Sequence, residues 1–238
     1  MTDARILYLD TGVLRVLWKL HLKDWIKDDD ERLVRAKLLR EILAVAKQKN
    51  QVRAITSPIA VMEMVQFDQS KHYAKSRMGG GDDPMDVLND WYRLSDRWQK
   101  SGPLLGEVLQ SARNDLEVWS GSEDFGLVEI LHGPWANAGL LNEIPQLLAL
   151  SLRLALTTPI DSDDCFHVAY LLRYADAIIT SDKGLKGSLE LALEKGPVRT
   201  QLDAEYQTIF GTELPDRSPD AFLYPEDLKR LGKWAETE

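Results

Sequence analysis

Four acidic residues, Asp10, Glu63, Asp164 and Asp182, stand where chain segments of different character meet. Carboxylates gathered in one place repel each other, and one must take up a proton unless a cation neutralises the group. A set of oxygen donors suits Mg2+ or Mn2+ better than zinc. Such an ion acts as a Lewis acid and activates water, so the chemistry to look for is metal-assisted hydrolysis. Each residue also has a plainer use. Asp10 can cap a helix, and Asp164 can favour a helix N-terminus, worth about 0.3–1 kcal/mol. Asp182 reads equally as a turn residue and Glu63 as an exposed side chain.

The elements that would position these side chains follow from hydrophobic pattern. Ile6 to Leu9 is a short apolar run closed by Asp10-Thr11-Gly12, which predicts a buried strand. Val13, Leu14, Leu17 and Trp18 then recur at helical spacing, and Glu31 to Lys49 predicts a second amphipathic helix. Val52 to Thr56 reads as a strand, and Ser57-Pro58 opens a helix over Ile59 to Phe67 that carries Glu63. Further strands are expected at Leu127 to Leu131, at Ala177 to Thr180 and at Pro197 to Leu202. Helices are expected at Leu141 to Leu156, Asp164 to Tyr174 and Lys183 to Glu194. Strands alternating with helices imply a parallel sheet covered on both faces. In such a sheet the loops after the strands open on one edge, where ligands bind. Asp10 and Asp182 follow strands, and Asp164 opens the helix that feeds one, so all three belong to that edge. Glu63 sits in VMEMVQF, on a face shared with Ile59 and Phe67. A carboxylate on a half-apolar face is costly unless paired or bound to a cation.

Residues 1–67 and 127–205 carry this α/β order, 68–126 read as a helical insertion, and 206–238 as a C-terminal tail rich in proline and charge. The insertion holds a glycine break, Met78 to Pro84, then helical spacing at Val87, Leu88, Trp91, Leu94 and Trp98, and a further helix over Leu104 to Trp119.

The segments YLDTGVL (residues 8–14), SPIAVME (57–63) and DCFHVAYLLRYADAIITSD (164–182), in that order, resemble the PIN-domain family, including VapC-type toxin ribonucleases. The resemblance covers about Ile6 to Phe67 and Leu127 to Leu202. It implies a three-layer α/β/α sandwich with a central parallel sheet, and cleavage of RNA phosphodiester bonds with Mg2+ or Mn2+. It implies that Asp10, Glu63, Asp164 and Asp182 hold the metal and carry catalysis, with Thr11 and Thr180 supporting them. Asp163 competes with Asp164 for its position, and the following HxA spacing favours Asp164. The family also implies a toxin role with a cognate inhibitory (antitoxin) protein, and a homodimer. Two departures stand out. Gly12 occupies a position where these domains usually carry asparagine, and the chain is much longer than a compact toxin.

Composition bounds the alternatives. The chain has 238 residues, 44% hydrophobic and 28% charged, enough apolar content for a sizeable core. Its formal net charge is −9, from 29 Lys+Arg against 38 Asp+Glu, which argues against coating nucleic acid through a broad basic face. Local basic groups remain: Lys183 and Lys186 beside Asp182, Lys71, Lys75 and Arg77, and Arg93, Arg97 and Lys100. Lys183 and Lys186 are candidates to meet phosphates. Trp91 and Trp98 could stack bases, but their helical spacing suits core packing. The one cysteine, Cys165, excludes a disulfide framework and any multi-cysteine zinc site. With no apolar run near membrane-spanning length and no secretory pattern at the start, a reduced cytoplasmic protein is expected. His167 lies on the core face of its helix and reads as structural. No phosphate-binding glycine loop or serine-hydrolase elbow occurs. Two rivals to a ribonuclease remain. One is a non-catalytic module binding RNA or a protein, and the other is a structure-specific DNA nuclease.

Overall fold

The structure is a computed structural model, and it describes residues 4–20, 31–79, 110–111, 113–115, 117–131, 143–162, 164–194, 196–214 and 219–236. Five strands form one sheet: β1 (Arg5–Leu9), β2 (Val52–Thr56), β3 (Val128–Ile130), β4 (Ala177–Thr180) and β5 (Asp220–Leu223). Every pairing is parallel and the order is β3-β2-β1-β4-β5. Side chains alternate across a strand, so each strand feeds two cores. Leu7 and Leu9 of β1, Ala177 and Ile179 of β4, and Phe222 of β5 enter one core. Tyr8, Ile178 and Ala221 enter the other.

The connections sort by face. Helices α1 (Thr11–Lys19), α2 (Glu31–Gln48) and α3 (Pro58–Gly79) link β1 to β2 and leave β2. They bury Leu14, Leu17, Leu39, Leu43, Ala60 and Met64 on the first face. Helices α4 (Ile144–Thr157), α5 (Cys165–Tyr174), α6 (Lys183–Leu193) and α7 (Pro197–Phe210) follow β3 and β4. They bury Leu150, Leu154, Leu171, Leu185, Leu189 and Tyr206 on the second. The result is a parallel sheet between two helical layers. Among the described residues no helix is long and apolar enough to cross a membrane.

Three sequence expectations change. Pro197 to Leu202 is not a strand but the first half of α7, because Pro197 at the first helical turn starts a helix that closes on Gly211, at φ 70°. The fifth strand comes from the segment read as a tail. β5 pairs with β4, and α8 (Leu228–Glu236) packs Leu228, Leu231 and Ala235 into the first core. Helix α3 does not stop near Phe67 but runs on to Gly79, into the expected insertion. Of that insertion, Met78 and Gly79 end α3. Gly80 to Pro84, the helix expected around Val87 to Trp98, Trp91, Trp98, Arg93, Arg97 and Lys100 lie outside the described residues, as does Asp163. Residues 113–115 and 117–120 are helical. Trp119 stacks on Trp18, with ring centroids 5.5 Å apart, and so ties the returning chain to α1.

Candidate active site

The strand order reverses direction beside β1. The chain moves outward from β1 to β2 and β3, then crosses to β4 and β5 on the other flank. The crevice at such a switch point, beyond the carboxyl ends of the strands, is where open α/β sheets bind ligands. Asp10 follows β1 and Asp182 follows β4, the two strands that flank the switch. Asp164 precedes α5, whose far end leads back to the start of β4, so it returns to the same edge.

Asp10 is buried and N-caps α1. Its Oδ1 accepts the Thr11 N–H at 2.6 Å, and its Oδ2 accepts the Thr180 hydroxyl at 2.7 Å. Thr180 in turn accepts the Asp182 N–H at 2.9 Å, which joins the two strand ends. Asp182 N-caps α6, its Oδ1 accepting from Gly184 N at 2.6 Å and Leu185 N at 3.0 Å. The capping role and a place at the edge therefore coexist in both residues. Asp164 differs: it stands at the N-cap position of α5 with no side-chain cap hydrogen bond. Burial, together with the charges of Asp10, Asp182 and Asp161, pushes its carboxyl up to about 6 against the pull of His167. Asp10 and Asp182 thus both act on the Asp164 carboxyl.

Glu63 is partnered rather than exposed. Its Oε2 accepts the Thr11 hydroxyl, and it faces His167 Nε2 at 3.1 Å. Burial raises its carboxyl, but the bonds from His167 and Thr11 win and hold it below its ordinary value. The cost of a carboxylate on an apolar face is thus met by an imidazole.

Sequence reasoning missed what lies behind His167. The Tyr8 hydroxyl stands 2.7 Å from His167 Nδ1 and 2.9 Å from Ser57 Oγ, which also accepts the Ala60 N–H at 3.1 Å. A buried chain runs from the first turn of α3 through Tyr8 and His167 to Glu63 and Thr11. Burial pulls the His167 imidazole down, but Glu63, Asp10 and Asp164 outweigh it and raise its pKa. The available signal was a tyrosine in a strand with a histidine on a core-facing helix, two polar groups that burial obliges to find partners.

Gly12 also has a local reason. A Cβ there would collide with the Ser181 hydroxyl, lie 3.3 Å from Ser181 Cβ, and stand 3.8 Å from Asp10 Oδ2. The Ser181 side chain occupies the room that a larger residue at position 12 would need. The lysines beside Asp182 are engaged by acids: Lys183 with Glu226 at 3.5 Å, and Lys186 with Glu190 and Asp227, each at 3.6 Å.

The carboxylates fit a hard divalent ion in kind. They supply oxygen donors around negative charge that His167 offsets in part and a cation would relieve further. They do not form a closed cage: no three of the four bring ligand oxygens within 4.8 Å of one another. Mg2+ is commonly held by one or two carboxylates and keeps several waters. That mode suits Asp10 and Asp164, while the Asp182 Oδ1 serves a helix cap and Glu63 leans on His167. Searches for resemblance to known proteins found no matching family model, no matching curated protein and no matching solved structure.

Proposed function

We propose that the protein is a divalent-metal-dependent endoribonuclease that hydrolyses RNA phosphodiester bonds. The observation that carries this reading is Asp164. It is a half-buried carboxyl at the switch-point edge, uncapped and pushed up to about 6 by burial and by Asp10 and Asp182. A cation at this edge would offset the burial of Asp164 and its repulsion by Asp10 and Asp182. Asp10 and Asp164 would hold Mg2+ or Mn2+, with Asp182 and Glu63 completing the acidic edge. The ion would supply charge stabilisation at the phosphate and a more acidic water. Thr180 and Thr11 fix the Asp10 and Glu63 carboxylates through their hydroxyls. Lys183 stays largely exposed and is the nearer candidate to meet an RNA phosphate. The resemblance to VapC-type proteins extends the proposal to a toxin held in check by an inhibitory protein, and to a homodimer.

The second reading is a non-catalytic module of PIN-like type that binds RNA or a protein. The spread of the four carboxylates and the acid-paired lysines favour it. One assay separates the two. The purified chain is incubated with single-stranded RNA and with DNA, in Mg2+, Mn2+ or EDTA, beside Asp164→Asn. Chelator-sensitive RNA cleavage that the variant loses supports the enzyme. RNA binding without turnover, unaffected by EDTA, supports the module, and cleavage confined to DNA redirects the substrate.

A further inference from the structure

A second group of ligand-type side chains lies away from the acidic edge. Asp68 and His72 are four residues apart on α3, so they project from one helix face, one turn apart. Asp115 reaches the same point from the chain that returns 43 residues later. His72 Nε2 stands 3.4 Å from Asp68 Oδ2 and 2.8 Å from Asp115 Oδ2, and the three ligand atoms all lie within 4.8 Å of one another. Two donors each about 2.1 Å from one ion stand about 3.0 Å apart in octahedral array and about 3.4 Å in tetrahedral array. The two His72 distances match that spacing, and the Asp68 and Asp115 oxygens lie within 4.8 Å of each other, within reach of a single transition ion. Asp68 is 8% exposed and its Oδ2 is sealed from solvent. The His72 and Asp115 side chains keep 22% and 25% of their surface, enough for an ion to enter and for water to complete its shell.

We propose that Asp68, His72 and Asp115 form a Zn2+ site that fastens helix α3 to residues 113–115. An imidazole with two carboxylates suits zinc better than Mg2+, which favours oxygen alone. The ion takes the lone pair of His72 Nε2, so the imidazole proton resides on Nδ1. Two carboxylates offset the charge of the ion, while the Arg15 guanidinium, 4.1 Å over the Phe67 ring, adds a positive charge felt at Asp68. This site is independent of the proposed nuclease chemistry, and its position on α3 is separate from that of Glu63, which turns to His167 and Thr11.

The test uses the full chain carrying Asp10→Asn and Asp164→Asn, which weakens the acidic edge as a competing zinc site. After dialysis against chelator, the protein is titrated with Zn2+ in a calorimeter, and the loaded form is studied by zinc X-ray absorption. One equivalent bound with a histidine nitrogen in the coordination shell is expected. Adding His72→Ala should weaken binding by more than about tenfold. No zinc binding, a shell without a histidine nitrogen, or unchanged affinity in the His72 variant would overturn the proposal. If His72→Ala fails to fold, Asp115→Asn takes its place: it should weaken zinc binding likewise, and unchanged affinity would overturn the proposal.

Discussion

The acidic edge and the His72 group use the same side-chain types and balance their charge in different ways. At the edge, most carboxylates are tied to the protein. Asp10 is held by Thr180 and the Thr11 amide, Asp182 by the start of α6, and Glu63 by Thr11 and His167. Asp164 has no cap to hold it, and burial together with Asp10 pushes its carboxyl up. In the His72 group, one imidazole spans two carboxylates directly. The first arrangement orients oxygens around a crevice and leaves negative charge for a ligand to neutralise. The second closes its donors on a single point. A crevice of the first kind suits a substrate that must come and go, and a closed point suits an ion that stays.

The largest expected effect falls on the edge. Asp10→Asn keeps the size of the side chain and one of its two acceptor oxygens but removes the charge that acts on Asp164. It should lower metal-dependent RNA cleavage by at least about a hundredfold, with circular dichroism and thermal midpoint close to the parent. Cleavage at the parental rate would remove Asp10 from the chemistry and leave the edge as a set of helix caps.

The next effect tests whether the edge depends on the chain behind it. Tyr8→Phe removes the hydroxyl between His167 Nδ1 and Ser57 Oγ, all of it buried. Leaving buried polar groups without a partner costs about 1–3 kcal/mol, so urea unfolding should show a loss of that size. A loss below about 0.5 kcal/mol would mean that the chain contributes little, because it falls under the net worth of a typical intramolecular hydrogen bond.

Much of this architecture was legible because burial leaves a period. Leu7, Tyr8 and Leu9 alternate between two cores, and the apolar residues of α2 recur by turns of a helix. The acidic edge was legible for the same reason, since a parallel sheet fixes where each loop emerges. The expected roles of Thr11 and Thr180 rested on family resemblance, and the structure puts both hydroxyls on carboxylates of the edge. Where local signals competed, they misled. Pro197 to Leu202 had strand-like residues, yet Pro197 and Gly211 bracket a helix. The fifth strand escaped notice because DAFL is too short to show alternation and gains its register only from β4. Asp68, His72 and Asp115 were illegible together, since two share a helix face and the third arrives through a contact no spacing announces.

A smaller effect concerns Gly12. An alanine there meets the Ser181 hydroxyl, and forcing extra volume into a packed position costs about 1–3 kcal/mol. Serine can turn its hydroxyl aside, so the low end is expected, about 1 kcal/mol by urea unfolding. Adding Ser181→Gly to Gly12→Ala should restore most of the loss. A double variant no better than the single one would show that Ser181 is not what excludes a side chain at position 12.

The smallest effect has the sharpest sign. The Asp164 carboxyl has an ordinary value of 3.8 and is pushed up to about 6 in the folded chain, by burial first and then by Asp10. The folded protein therefore holds a proton that the unfolded chain releases, and ionising Asp164 works against folding. The penalty is absent below about 4 and complete above about 6, so it grows as pH rises through that window. Asp164→Asn removes it. Without added metal, the variant should melt about 2 °C above the parent at pH 7.5. The group is half exposed, and solvent screening keeps the gain small. By pH 4.5 the advantage should shrink toward zero, because the parent carboxyl is then largely protonated in the folded state. Added Mn2+ should reverse the order at pH 7.5, since only the parent offers the full charge to the ion. A variant less stable than the parent at pH 7.5 without metal would mean that Asp164 serves its own helix. The edge would then differ from the His72 group in shape alone, not in how it carries its charge.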